Sequence, residues 1–182
     1  MFSKKVLFII CLFSLISCGY IRIPKNEYGE PVLNEKVKYT FLDMPTETDL
    51  KKIDTSAYYV QIFEGRYYNN GEKENPQILK FHNDGFFKKF MLIGIDKNVH
   101  RNKNSIYYGG KYKIKENIIE LEQFYPSTGG ATNYYIRNVR KGKIDGNKII
   151  FDSKNSLLTI FEKKQSLNLK TAHNSHYNRF GQ

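Results

Sequence analysis

The chain has 182 residues, 40% of them hydrophobic and 15% aromatic, with 14 Tyr, 13 Phe and no Trp. That supplies a core for one domain with flanking segments. A formal net charge of +11 favours anionic partners. The only cysteines, Cys11 and Cys18, both stand near the N-terminus, which excludes a disulfide framework and a Cys-based metal centre in the rest of the chain.

Lys4 and Lys5 precede an apolar run from Val6 to Ile16, which ends at Ser17 and Cys18. A positive start, an apolar run and a small residue at the cut make a secretion signal. The run is too short to cross a hydrocarbon core of about 30 Å as a helix, and Gly19 to Asn26 is not a stop-transfer pattern. Leu15-Ile16-Ser17-Cys18 resembles the lipobox of bacterial lipoproteins. The resemblance implies a signal peptide over residues 1–17, cleavage before Cys18 and acylation of that cysteine by palmitate-type chains. Cys11 then leaves with the signal, and Cys18 becomes an attachment point with no free thiol. An ordinary cleaved signal with an accidental cysteine and an uncleaved N-terminal anchor are the alternatives. Gly19 is not the aspartate that marks inner-membrane retention in many double-membrane bacteria. The expected place is therefore the cell membrane, lipid-anchored, and the outer membrane where the source has two.

Residues 18–57 form the lipidated N-terminus and a tether, with prolines at 24, 31 and 45. Val37 to Phe41 alternates as a short strand does. Thr46-Glu47-Thr48-Asp49 before Leu50-Lys51-Lys52 has acids in a first turn and lysines after it, which predicts one short helix.

Residues 58–162 carry regular punctuation. Apolar runs at Ile78–Phe81 and Phe86–Ile95 flank the turn signal Asn83-Asp84-Gly85. Ile106, Tyr108, Gly110, Tyr112 and Ile114 alternate on one face, Glu116-Asn117 turns the chain, and Ile119 and Leu121 resume the face. Glu120 and Glu122 then point to a solvated outer side. Thr132 to Ile144 is a long polar-aromatic strand, turned by Asp145-Gly146-Asn147 into Ile149–Phe151 and followed by Leu157–Phe161. Period-2 runs joined by Asn/Asp/Gly turns predict successive antiparallel hairpins. About eight strands of this kind close into an up-and-down barrel, and a two-sheet sandwich fits the same pattern. Residues 163–182 read as a basic, flexible tail.

Phe63-Glu64-Gly65-Arg66-Tyr67-Tyr68 resembles the lipocalin motif in which an apolar residue precedes Gly-x-Trp-Tyr, with Tyr67 in place of the Trp. Phe81-x-x-Asp84-Gly85-x-Phe87 and Gly142-x-Ile144-x-Gly146-Asn147-x-Ile149 are similar to hairpins of small lipocalin-like bacterial lipoproteins. The resemblance implies a barrel with a cavity for a small apolar or lipidic ligand. Phe63, Tyr67, Phe90, Tyr108, Tyr112, Leu121 and Tyr134 are its candidate lining residues. A barrel of this size also accommodates an interior filled by its own side chains.

No catalytic signature is present: there is no Gly-x-Ser-x-Gly, no His-Glu-x-x-His and no phosphate-binding glycine loop opening a helix. His173-x-x-His176 lacks a third ligand nearby, so no metal or other cofactor is expected. The expected protein is not an enzyme. Lys97, Arg101 and Lys103 make a basic loop, the candidate contact for an anionic surface, and Arg137, Arg140, Lys141 and Lys143 add a second basic run. Lysines that guard strand edges explain the same pattern. Expected partners are the membrane, through the N-terminal lipid, and a small apolar ligand or an envelope protein, with no nucleic acid. The alternative to a carrier is a protein-interaction or envelope-assembly lipoprotein with no ligand cavity.

Overall fold

The computed structural model describes residues 23–34, 37–64, 68–93, 101–126, 135–152 and 158–167. Eight strands are formed: β1 (Tyr58–Ile62), β2 (Gln77–Phe81), β3 (Phe86–Met91), β4 (Gly109–Lys115), β5 (Ile118–Pro126), β6 (Tyr135–Asp145), β7 (Lys148–Phe151) and β8 (Thr159–Lys164). Each pairs antiparallel with its sequence neighbour, and β8 returns to β1, so the sheet is a closed up-and-down barrel of lipocalin-like type. Closure leaves no free sheet edge and sets aside the two-sheet sandwich. The tight turns fall where Asn, Asp and Gly punctuate the sequence, at His82–Gly85, Glu116-Asn117 and Gly146-Asn147.

Strand register decides which side chains enter the barrel, because directly opposed residues share a face. Tyr59 is opposite Leu79, Phe81 opposite Phe87, Tyr112 opposite Leu121, and Ile144 opposite Ile149. With Ile53, Ile119, Phe151 and Phe161 they form one buried cluster at the end that carries the tight turns. Phe81 is its hub, with ring centroids 5.3 Å from Tyr59 and 5.0 Å from Tyr112. Both tyrosine hydroxyls are satisfied: Tyr112 donates to the His82 carbonyl at 2.8 Å, and Tyr59 accepts from the Asp54 N–H at 2.9 Å. This end of the barrel is a packed floor.

Two short helices flank the strands. The expected one, α1 (Glu47–Leu50), is started by a capping box between Thr46 and Asp49. The second, α2 (Asn70–Glu74), was not expected from the sequence and has the same device in Asn69 and Glu72, an Asn-x-x-Glu spacing.

The segment read as a tether packs on the barrel from Ile23 onward. Val32 bridges Ser105, and the Ile106 N–H donates to the Pro31 carbonyl at 3.0 Å. Tyr39 meets the rings of Phe86 and Phe124 edge-on at 5.9 and 5.3 Å. Val37 to Phe41 is not a strand, because the N–H groups of Thr40 and Phe41 are taken by the Glu122 carboxylate. Glu122 does point outward, yet this strap covers it to 0% exposure, which corrects the expectation of a solvated side chain. Ile106 and Tyr108 also fall outside β4, whose first residue is Gly109.

Candidate functional site

Above the floor the inward-facing set changes character. Counting along each strand from the packed residues places Gln61, Gln77, Lys89, Met91, Gln123, Tyr125, Ile136, Asn138, Arg140 and Thr159 on the same interior face. Four of these stay open to solvent: Met91 is 38%, Tyr125 37% and Ile136 54% exposed, and Asn138 is exposed as well. Inward residues that water reaches line a cup, so the interior is solid below and open above.

The wall of the cup has a notch. β3 continues to Met91 and β5 to Pro126, whereas β4 starts only at Gly109, level with Lys88. A cavity of about 350 Å³ occupies this gap, lined by Lys89, Met91, Gln123 and Tyr125 and by Ile93, Arg101, Ile106 and Tyr107 beside them. That volume lies at the small end of ligand pockets. Gln123 fixes the frame: its side-chain N–H donates to the Gly109 carbonyl at 3.2 Å, and its carbonyl accepts from the Tyr125 hydroxyl at 2.8 Å.

Lys89 and Arg140 are the charged members of this cup. Lys89 stands opposite Leu79 and Arg140 opposite Leu121, and both leucines belong to the floor cluster, so both cations point inward. The Arg140 guanidinium lies 4.7 Å from the centroid of Phe151, a cation–π contact. Gly142 makes room for that ring, since a Cβ there would come within 2.7 Å of it. Burial pushes the Lys89 ammonium below its ordinary pKa, and the neighbouring Arg140 charge pushes it the same way. Burial lowers Arg140 too, with Tyr125 opposing. Tyr125 is itself raised by burial, against the pull of Arg140 and of a hydrogen bond with Asn138. No Asp or Glu lies on the interior face of the described strands.

The sequence-based candidates scatter. Tyr112 and Leu121 face inward but belong to the packed floor. Phe90 is opposite Ile78 on the outer face, reaching the cavity only from the notch. Tyr108 lies outside as well, with its hydroxyl 2.8 Å from His82 Nε2 and the Lys88 ammonium 5.3 Å from its ring centroid. Phe63 follows β1 at the mouth end, 4.8 Å in ring centroid from Tyr68, while Tyr67 and Tyr134 are outside the described residues. Of the basic loop, Lys97 is outside the described residues, Arg101 is paired with Glu30 at 2.7 Å, and Lys103 with Asp84. His173, His176 and Cys18 are outside them also, and no His/Cys/Asp/Glu group among the described residues could hold a metal ion.

No described helix is long and apolar enough to cross a membrane. No protein-family model, curated protein sequence or solved structure matches the chain.

Proposed function

We propose that this is a lipid-anchored envelope protein whose barrel binds a small molecule in its open half, as a carrier or sensor and not as an enzyme. The observation that carries this reading is the divided interior, a packed floor beneath a cup whose inward side chains remain open to solvent. A protein that used the barrel only as a rigid body has no need of that upper space. The Cys18 lipobox supports a place on the cell membrane, in the outer membrane where there are two. Pro31 and Val32 are bonded to Ile106 and Ser105 beside the barrel, so in this reading the lipid holds the domain close to the bilayer.

Ligand-detected magnetic resonance on the full chain in lipid nanodiscs tests the binding half, with hexanol and hexanoate as probes and empty discs subtracted. Saturation transfer to at least one probe is expected, and Met91→Trp, which fills the cavity, should abolish it. Absence of transfer to both probes would overturn the reading.

A further inference from the structure

We propose that the cup selects its ligand by an anionic group, a carboxylate or a phosphate, held between Lys89 of β3 and Arg140 of β6. The inference rests on the ligand-binding reading above and adds the chemical class of the ligand.

Two positive side chains share one partly desolvated interior, and their charges repel each other. Among the described residues neither has a carboxylate partner or a side-chain hydrogen bond. The acids of the neighbouring strands cannot serve, because Glu120, Glu122 and Glu162 lie on the outer face and are engaged there by Lys141, Arg137 and Lys164. Desolvated cations without a counter-charge are costly, and an anion placed between them turns that cost into binding. The geometry is prepared for one: the Arg140 guanidinium carbon is held over the Phe151 ring at 4.7 Å, and its N–H donors have no side-chain acceptor among the described residues.

One further polar group inside the barrel is unengaged, and it calls for a donor. The Gln77 side-chain carbonyl is a buried atom with no hydrogen-bond partner, on the interior face two residues from Leu79. Its backbone N–H is satisfied by the Gln61 side chain at 3.2 Å, so this amide remains as an unused polar contact inside the barrel. A protonated oxygen or a bridging water on the ligand would complete it. Arg101 at the notch is already neutralised by Glu30 and adds no demand for charge. Beside Lys89 the notch cavity offers the apolar side chains of Met91, Ile93, Ile106 and Tyr107, while Arg140 reaches the same interior from β6, opposite Leu121. A compact amphiphile with its head on Lys89 and Arg140 and its body along those residues fits the shape.

Titration calorimetry on the full chain in nanodiscs tests this with hexanoate, hexanol and inorganic phosphate. Hexanoate should bind at least about tenfold more tightly than hexanol, a difference equivalent to about 1.4 kcal/mol. Lys89→Met and Arg140→Gln should each remove most of that preference while leaving the melting temperature unchanged or higher. Phosphate binding as tightly as hexanoate would identify a small free anion as the ligand class. A requirement for the alkyl chain would identify an anion-headed amphiphile. Equal affinity for hexanoate and hexanol would overturn the anionic class and leave the binding reading intact. No binding of any probe would overturn both.

Discussion

Both carboxylate oxygens of Glu122 accept from the backbone N–H of Thr40, at 3.0 and 2.9 Å, across a sequence separation of 82 residues. The same carboxylate accepts from the Phe41 N–H at 3.0 Å, from the Thr40 hydroxyl at 3.0 Å and from Arg137 Nε at 2.5 Å. One outward side chain of β5 therefore replaces the strand partner that residues 37–41 never acquire. It fixes the strap to the barrel wall and satisfies backbone donors that would otherwise be buried alone.

Glu122→Gln keeps the shape and removes the charge from this cluster. The expected loss is about 2 kcal/mol of unfolding free energy, in the range for hydrogen bonds to a charged group. Glu120→Gln is the control, since Glu120 sits on the same outer face but pairs with exposed Lys113 and Lys141. It should cost less than about 1 kcal/mol. Urea titration of both variants decides the point, and equal losses would mean that the strap does not depend on Glu122.

Acid should loosen the fold through the same residue. Burial pushes the Glu122 carboxyl up, but Arg137 and the N–H groups of Phe41 and Thr40 outweigh it and hold the carboxyl below its ordinary value of 4.5. Asp54 is held down to about 2, first by the Ser56 hydroxyl. A carboxyl whose pKa is lower in the folded state binds more protons when unfolded, so stability rises with pH across that interval. The contribution is complete above the ordinary carboxylate range and is lost as pH falls through the folded values. The melting temperature should fall steeply from about pH 4.5 toward 2, below any earlier decline from His82, whose pKa burial lowers from 6.5. Glu122→Gln should show a shallower fall, and an unchanged slope in that variant would remove Glu122 from the account.

The barrel was legible in the sequence because its signals are local. Asn, Asp and Gly marked the tight turns, and alternation from Gly110 to Leu121 marked the inner face of β4 and β5. The cup was not, because parity is ambiguous where polar residues run together. Lys88 and Lys89 are adjacent and take opposite faces. Arg140 stands in one basic run with Arg137, Lys141 and Lys143, yet stepping back by two from Ile144 through Gly142 reaches it on the inner face. Tyr108 failed for another reason: Gly109, at φ 153°, ends the alternation, and Tyr108 keeps a backbone bond to Lys89 while its side chain turns to His82 and Lys88.

Two inward glycines separate close approach to backbone from close approach to a ring. A Cβ on Gly110 would lie 1.9 Å from the Glu122 carbonyl oxygen, whereas one on Gly142 would lie 2.7 Å from Phe151 ring atoms. A ring can tilt and a paired strand cannot. Gly142→Ala should therefore cost about 1–3 kcal/mol, the usual range for overpacking, and Gly110→Ala more than that. Chemical denaturation of the pair gives the order, and the reverse order would show that β4 and β5 can part more easily than Phe151 can move. Gly142→Ala should also weaken anion binding, because the ring it displaces carries Arg140.

Lys89 makes the sharpest claim on stability, because removing it should help the empty protein. Its neighbours on the interior face are Leu79 across β2, Arg140 from β6 and the Gln123–Tyr125 pair of β5, none of which offers it a negative charge. Lys89→Met keeps the apolar stem and deletes the repulsion with Arg140. An unpaired interior cation exchanged for an apolar side chain is expected to stabilise by about 1 kcal/mol. Calorimetric melting of the ligand-free protein should show the variant a few degrees above the parent, on the order of 2–4 °C for a chain of this size. Adding an anionic ligand should then reverse the order, because mass action raises the parent and leaves the variant nearly where it was. A variant that melts lower than the parent without ligand would mean that Lys89 holds the wall together. The cup would then be a structural feature, and its charge no sign of a ligand.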